Sequence, residues 1–208
     1  MAGVEVDWVY NQTCIDPPEL VYHLRDQHPD VRWRKAKTPF FKEVARQGLP
    51  TRRIRWCCRL YKERETDAAF MLFGLRKAEG SNRSSRIKVF QPWGEPYGRF
   101  ALNPLAYWTD EDVWRFIGRE NIQYCKLYDE GWKRLGCIGC PMGRKQRIKQ
   151  FERWPGYGKL WRRAAARYWE THQHTKTCAK YDTPEAFFDW WLSDKASTED
   201  DDCQMGLF

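Results

Sequence analysis

Cys57 and Cys58 are adjacent, and after 78 intervening residues the chain carries Cys137-Ile138-Gly139-Cys140. Neighbouring side chains diverge on a strand or a helix, so two adjacent thiolates face one centre only from an irregular turn or a helix end that a bound group helps to hold. Soft thiolate quartets take zinc or an iron–sulfur cluster, and a CxxC turn adds backbone amides that can hydrogen-bond the sulfurs. Gly136 and Gly139 interleave the second pair as in a metal knuckle. The spacing does not separate the two metals, and zinc is the natural expectation from ligand chemistry alone.

The remaining thiols and imidazoles carry less. Cys14 and Cys125 have apolar or loop surroundings and no partner in sequence, which reads as buried structural thiols. His172 and His174 are two apart, a spacing that does not share a helix face, so they read as surface histidines rather than ligands.

The 208-residue chain has room for one domain with a real core, or a compact domain with an appendage. Eight cysteines without an apolar leader or a long uncharged run argue against a secreted, disulfide-stapled or membrane protein, and point to the reducing cytoplasm. The net charge of +8 implies an anionic partner: a nucleotide, a polynucleotide or an acidic protein surface. Twelve tryptophans fall mostly within helical patterns and read as core.

The elements that must position the thiols alternate. Val4–Tyr10 reads as a strand, Pro17-Pro18-Glu19 opens a helix to about Arg25, Val31–Arg34 is a second strand, and Pro39–Gln47 a helix closed by Gly48. This alternation is the signature of an α/β fold with a parallel sheet. Glu63–Asp67 reads as helical and Ala68–Phe73 as a third strand. Ile87–Phe90 and Tyr97–Leu102 flank a Pro/Gly-rich turn as a hairpin-like excursion. Thr109 caps a helix over Asp110–Arg119 with Asp112 as the reciprocal partner. From Lys145 the chain reads as basic helices through Trp169. A last helix over Glu185–Leu192 carries an aromatic stripe, and Ser193–Asp202 reads as a disordered acidic tail.

Four stretches in order resemble one family. They are Cys57-Cys58-Arg59-Leu60-Tyr61-Lys62, Gly74–Arg83, Asn103–Trp114 and Tyr128-Asp129-Glu130-Gly131-Trp132 through Cys140. Together they are similar to the PAPS/APS reductases, adenine nucleotide alpha hydrolase-like proteins, over roughly residues 4–145. The resemblance implies a Rossmann-like parallel-sheet core and shifts the metal expectation to one [4Fe–4S] cluster held by Cys57, Cys58, Cys137 and Cys140, with zinc as the alternative. By the same match Lys62 sets its ammonium between cluster and bound anion, in a catalytic role, and Arg76 and Arg83 grip substrate phosphate or sulfate. Guanidinium forks suit oxyanions, and a glycine- and serine-rich loop around Gly74, Gly80, Ser81 and Ser84 suits an anion pocket. Thr13 and Glu19 fall where the family has Asp-Thr-Gly and Pro-Glu-Thr, with Gln12 and Cys14 in place of the Asp and Gly.

Two departures accompany the match. The family's Ser-Gly-Gly-x-Asp-Ser phosphate loop has no counterpart here, which implies a fragment, one half of a split protein, or a member that lost this grip. Reductases of the family carry a nucleophilic cysteine on a Glu-Cys-Gly-Leu-His tail, whereas this chain ends Asp202-Cys203-Gln204-Met205-Gly206-Leu207-Phe208. Cys203 is the candidate catalytic nucleophile, although the aspartates before it oppose thiolate formation. Gln204–Phe208 also resembles the short peptides that dock on sliding clamps.

These readings give an expected organisation of an α/β domain over 1–145, a helical extension over 146–192 and an acidic tail over 193–208. The expected function is thiol-dependent reduction or sulfur transfer on an adenine sulfonucleotide or a nucleic acid, with a thioredoxin-like reductant. The alternative is a non-catalytic iron–sulfur or zinc accessory protein, recruited to nucleic acid by basic helices and the tail peptide.

Overall fold

A computed structural model describes residues 4–62, 68–80, 85–93, 98–143 and 146–193. In chain order the elements are β1 (Val9–Asn11), α1 (Pro18–Gln27), β2 (Arg32–Arg34), α2 (Phe40–Gln47), α3 (Trp56–Tyr61), β3 (Phe70–Leu72), β4 (Phe90–Pro92), β5 (Phe100–Leu102), α4 (Asp110–Arg119), α5 (Gln146–Arg153), α6 (Pro155–Thr171) and α7 (Pro184–Leu192). They group into two compact units, one formed by residues 1–64 with 125–208 and the other by residues 65–124. The expected helix over Glu63–Asp67 and the acidic tail beyond Ser193 lie outside the described residues.

The first unit holds a parallel pair, β1 with β2, in the register Val9↔Arg32 to Asn11↔Arg34. The α/β alternation with parallel pairing expected from the sequence is present. The first strand is shorter than Val4–Tyr10, because β2 offers only three residues to pair with it.

Its core is helical and aromatic. On α6, Trp161, Ala164, Ala165 and Tyr168 follow the i, i+3, i+4, i+7 spacing of one helix face, and all four are buried. Phe40 and Val44 of α2 and Phe187, Phe188, Trp190 and Trp191 of α7 close on that face. Trp161 stacks on Trp191 with ring centroids 4.9 Å apart. Buried indole N–H groups need acceptors. Trp191 Nε1 donates to the Pro50 carbonyl at 2.7 Å and Trp161 Nε1 to the Ile138 carbonyl at 3.1 Å. Trp191 of the expected aromatic stripe thus anchors the segment before α3, and Trp161 of α6 anchors the turn that carries the second cysteine pair. Gly48 ends α2 at φ +85°, where the Tyr168 ring would lie 2.9 Å from an added Cβ.

The second unit is a three-stranded sheet of order β3-β5-β4, parallel between β3 and β5 and antiparallel between β4 and β5. Pro92 sits on edge strand β4, where a missing N–H is tolerated. Phe100 stacks between Phe70 and Phe90, at 5.8 and 4.9 Å. α4 opens on the expected capping box: Thr109 Oγ1 accepts from the Asp112 amide at 3.1 Å, and the Asp112 carboxylate accepts from the Thr109 amide at 2.9 Å. Among the described residues no helix is long and apolar enough to cross a membrane.

Candidate functional site

The first cysteine pair lies on the opening turn of α3, a six-residue helix. Its two ends are pinned. Trp56 and Tyr61 are buried, and the Tyr61 hydroxyl donates to the Thr38 carbonyl at 2.9 Å. Lys62 follows directly, its amide donating to the Cys58 carbonyl at 2.8 Å. A helix end was one of the two settings from which adjacent thiols could face one centre, and the pair lies on one.

The second pair is fixed by contacts to several elements. The Ile138 amide donates to the Ile15 carbonyl at 2.7 Å, and the Gly139 amide to Gln150 Oε1 of α5 at 2.9 Å. Gly139 has φ +79°, and a Cβ there would meet Trp161 Nε1 at 2.6 Å, so the turn admits only glycine without rearrangement. The Cys140 amide returns to the Cys137 carbonyl at 3.2 Å.

All four cysteines line one cavity of about 30 Å³, together with Thr13 and Lys62. The rest of its wall is apolar, from residues such as Ile15, Phe40, Pro141 and Trp161, and among the described residues no carboxylate lines it. Among the described residues no three His, Cys, Asp or Glu side chains converge on a point suited to a single metal ion. Soft donors in an apolar wall beside a cation fit a thiolate-held metal group, and an anionic one in particular.

Two of the thiols, Cys57 and Cys137, are pushed above the ordinary thiol value. The hydrogen bond with Cys58 raises Cys57 most, and burial adds to it. Burial and then the Asp16 carboxylate push Cys137 up to about 12, against the pull of Lys62. Burial works to lower the Lys62 ammonium, but Cys137 and Asp16 outweigh it and hold the group above its ordinary value, so Lys62 stays charged beside the sulfur. Metal binding here has to displace protons.

Thr13, expected as a substrate contact, is buried and belongs to a polar knot behind the cavity. Its hydroxyl donates to Asp16 Oδ2 at 2.6 Å and accepts from the Cys137 thiol at 3.8 Å, while the Tyr10 hydroxyl donates to the same carboxylate oxygen at 2.5 Å. Asp16 and Tyr10 were not legible as site residues, since an aspartate before Pro17-Pro18 looks like an ordinary helix start. Glu19 accepts from Trp154 Nε1 at 3.1 Å and pairs with Arg153 at 2.9 Å.

Cys14 corrects an expectation. It is exposed, at φ +64°, where a buried structural thiol had been expected. The backbone keeps the conformation a glycine would favour at this position, which turns the side chain outward. Cys125 is buried as expected. His172 caps the end of α6 rather than lying within it, and its ring stacks on Tyr168 at 4.1 Å.

Arg76 lies in the second unit, where it pairs with Asp110 at 2.7 Å and Glu79 at 3.6 Å. Arg83, Cys203 and Gln204–Phe208 lie outside the described residues.

A family model, the phosphoadenosine phosphosulfate reductase domain, matches residues 19–143. The chain is 27% identical over 187 residues to an uncharacterised protein of Methanocaldococcus jannaschii, covering 82% of this chain and 38% of that one. It is 30% identical over 149 residues to an adenosine 5'-phosphosulfate reductase of Anoxybacillus flavithermus, covering 68% and 59%. A homologous reductase of Staphylococcus epidermidis is 26% identical over 133 residues, covering 59% and 53%. The chain therefore spans between about two fifths and three fifths of the length of these curated relatives. A solved structure, the phosphoadenylyl-sulfate reductase of Candida auris in complex with phosphate, superposes with a TM-score of 0.47 at 20% identity, over 64% of this chain and 69% of that one.

Proposed function

The chain belongs to the phosphoadenosine phosphosulfate reductase family, and on that premise we propose that it is an iron–sulfur protein acting by thiol-dependent reduction or sulfur transfer on an adenine sulfonucleotide. One observation carries this reading: two cysteine pairs separated by 78 residues line a single apolar cavity with a charged lysine at its side. Cys57, Cys58, Cys137 and Cys140 are the residues that would hold a [4Fe–4S] cluster. Bound there, the cluster supplies a compact, redox-capable anion. The rigid Gly139 turn and the pinned ends of α3 hold the donors in place, and the apolar wall keeps water from the sulfurs.

Lys62 answers the negative charge of the thiolates with a point cation, which also draws an anionic substrate toward this side of the unit. Arg76 is the proposed guanidinium grip, and an incoming phosphate or sulfate competes with Asp110 and Glu79 for it. Cys203 is the proposed nucleophile. Its thiolate attacks the sulfonyl sulfur and the nucleotide leaves with the bridging oxygen. A thiol of a thioredoxin-like reductant then attacks Cys203, forming a disulfide and releasing sulfite, so the two electrons come from the two thiols.

The test is anaerobic purification with iron and sulfide analysis, followed by a sulfite-release assay on APS and PAPS with a thioredoxin system. The expected result is a brown chain carrying about four iron and four sulfide per protein, in line with a cluster held by four cysteines, and turnover abolished by Cys203→Ser. A colourless chain with stoichiometric zinc overturns the cofactor. An intact cluster without turnover overturns the reductase and favours an accessory role.

A further inference from the structure

The proposed function uses the thiols and Lys62 but leaves the carboxylate behind them without a task. Asp16 is 6% exposed and takes two short hydrogen bonds on one oxygen, from Tyr10 at 2.5 Å and Thr13 at 2.6 Å. A hydroxyl has one proton and two lone pairs. With its proton given to Asp16, Thr13 Oγ1 can only accept, and it does so from the Ile15 amide at 3.3 Å and the Cys137 thiol at 3.8 Å.

The consequence appears when Cys137 loses its proton to bind metal. Thr13 then offers the sulfur a lone pair instead of a proton, and Lys62 remains as a side-chain donor to it. Hydrogen bonds to sulfur and positive charge nearby raise a cluster's potential, while negative charge lowers it. Asp16 acts in the lowering direction twice: through its own charge, and by keeping the Thr13 proton from the sulfur.

Resting on the iron–sulfur reading above, we propose that Asp16 is a positioning residue of the thiol centre, locking the Thr13 hydroxyl away from Cys137 and lowering the reduction potential of the group bound there. Tyr10 moderates this effect, because its hydroxyl neutralises part of the Asp16 charge.

The two residues therefore predict shifts of opposite sign, which a purely structural role would not produce. In the reconstituted full chain, Asp16→Asn raises the midpoint potential and Tyr10→Phe lowers it, at unchanged iron content. Both variants unmoved, or both moved in one direction, overturns the proposal. If Asp16→Asn sheds its iron, Tyr10→Phe decides alone.

A wild-type chain that takes up no iron overturns the cofactor rather than the role of Asp16. In that case, or where the cluster resists reduction, the metal-free chain carries the test. Alkylation of Cys137, followed by peptide mass spectrometry, is faster in Asp16→Asn and slower in Tyr10→Phe. Equal rates in all three proteins overturn the proposal.

Discussion

The indole nitrogen of Trp161 lies 2.6 Å from the point that a Cβ at Gly139 would occupy, and it donates to the carbonyl of the preceding residue, Ile138, at 3.1 Å. The core helix α6 thus sets the shape of the turn between two of the site's thiols. Gly139→Ala meets this contact and a positive φ together. The expected cost is about 2–4 kcal/mol, summing backbone strain and overpacking, read as a lower urea midpoint by tryptophan fluorescence. Iron uptake falls with it; an unchanged midpoint would mean that the indole gives way freely.

Arg147 of α5 is fully buried, lies over the Trp191 ring at 4.5 Å, and donates to the Leu192 carbonyl at 3.0 Å near the end of α7. Arg147→Ala removes both contacts and leaves a void beside Trp191. The expected loss is about 2–4 kcal/mol, measured by chemical denaturation. Arg147→Lys loses the planar stack and recovers only part of the difference.

The α4 cap makes a pH prediction. The Thr109 amide, and after it the Thr109 hydroxyl, hold the Asp112 carboxyl below its usual value. A depressed carboxylate contributes stability that is present above its unfolded pKa and is lost as pH falls through the folded one. The second unit is therefore expected to lose helix stability on acidification below the ordinary aspartate range. Thr109→Ala removes the cap at a cost of about 1 kcal/mol. Thermal melts of wild type and variant across acidic pH should draw closer as Asp112 protonates, by the share of the gap that the Thr109 hydroxyl's bond to the carboxylate contributes, while the share from the Asp112 amide to the Thr109 hydroxyl persists. A gap that does not narrow would exclude the hydroxyl's part in the linkage.

Metal loading is expected to stabilise the first unit, because a group that binds only the folded arrangement adds its binding energy to folding. Reconstitution with iron and sulfide should raise the thermal midpoint, and chelation should return it to the metal-free value. Cys57→Ser should abolish the rise, whereas Cys125→Ser, at a buried thiol away from the cavity, should lower the baseline and leave the rise intact.

Several features followed from local pattern alone. The helical character of the stretch through Trp169 was legible, though not which of its faces is buried, and Thr109 with Asp112 fixed a helix start to the residue. Both depend on residues within two turns of one another, where backbone geometry leaves few alternatives. That the two cysteine pairs offer soft donors was equally legible, since donor type follows from side-chain identity.

Convergence was another matter. That Cys57 and Cys58 share a cavity with Cys137 and Cys140 depends on the Ile138–Ile15 hydrogen bond and the Trp161 contact, both between segments far apart in sequence. The outward turn of Cys14, the burial of Arg147 beneath α7 and the Tyr10–Asp16–Thr13 knot were likewise hidden. The sequence determined which groups could ligate, cap or pack. Only the tertiary structure decided which of them meet, because a buried polar group takes its partner from whatever the packed core brings within hydrogen-bonding distance.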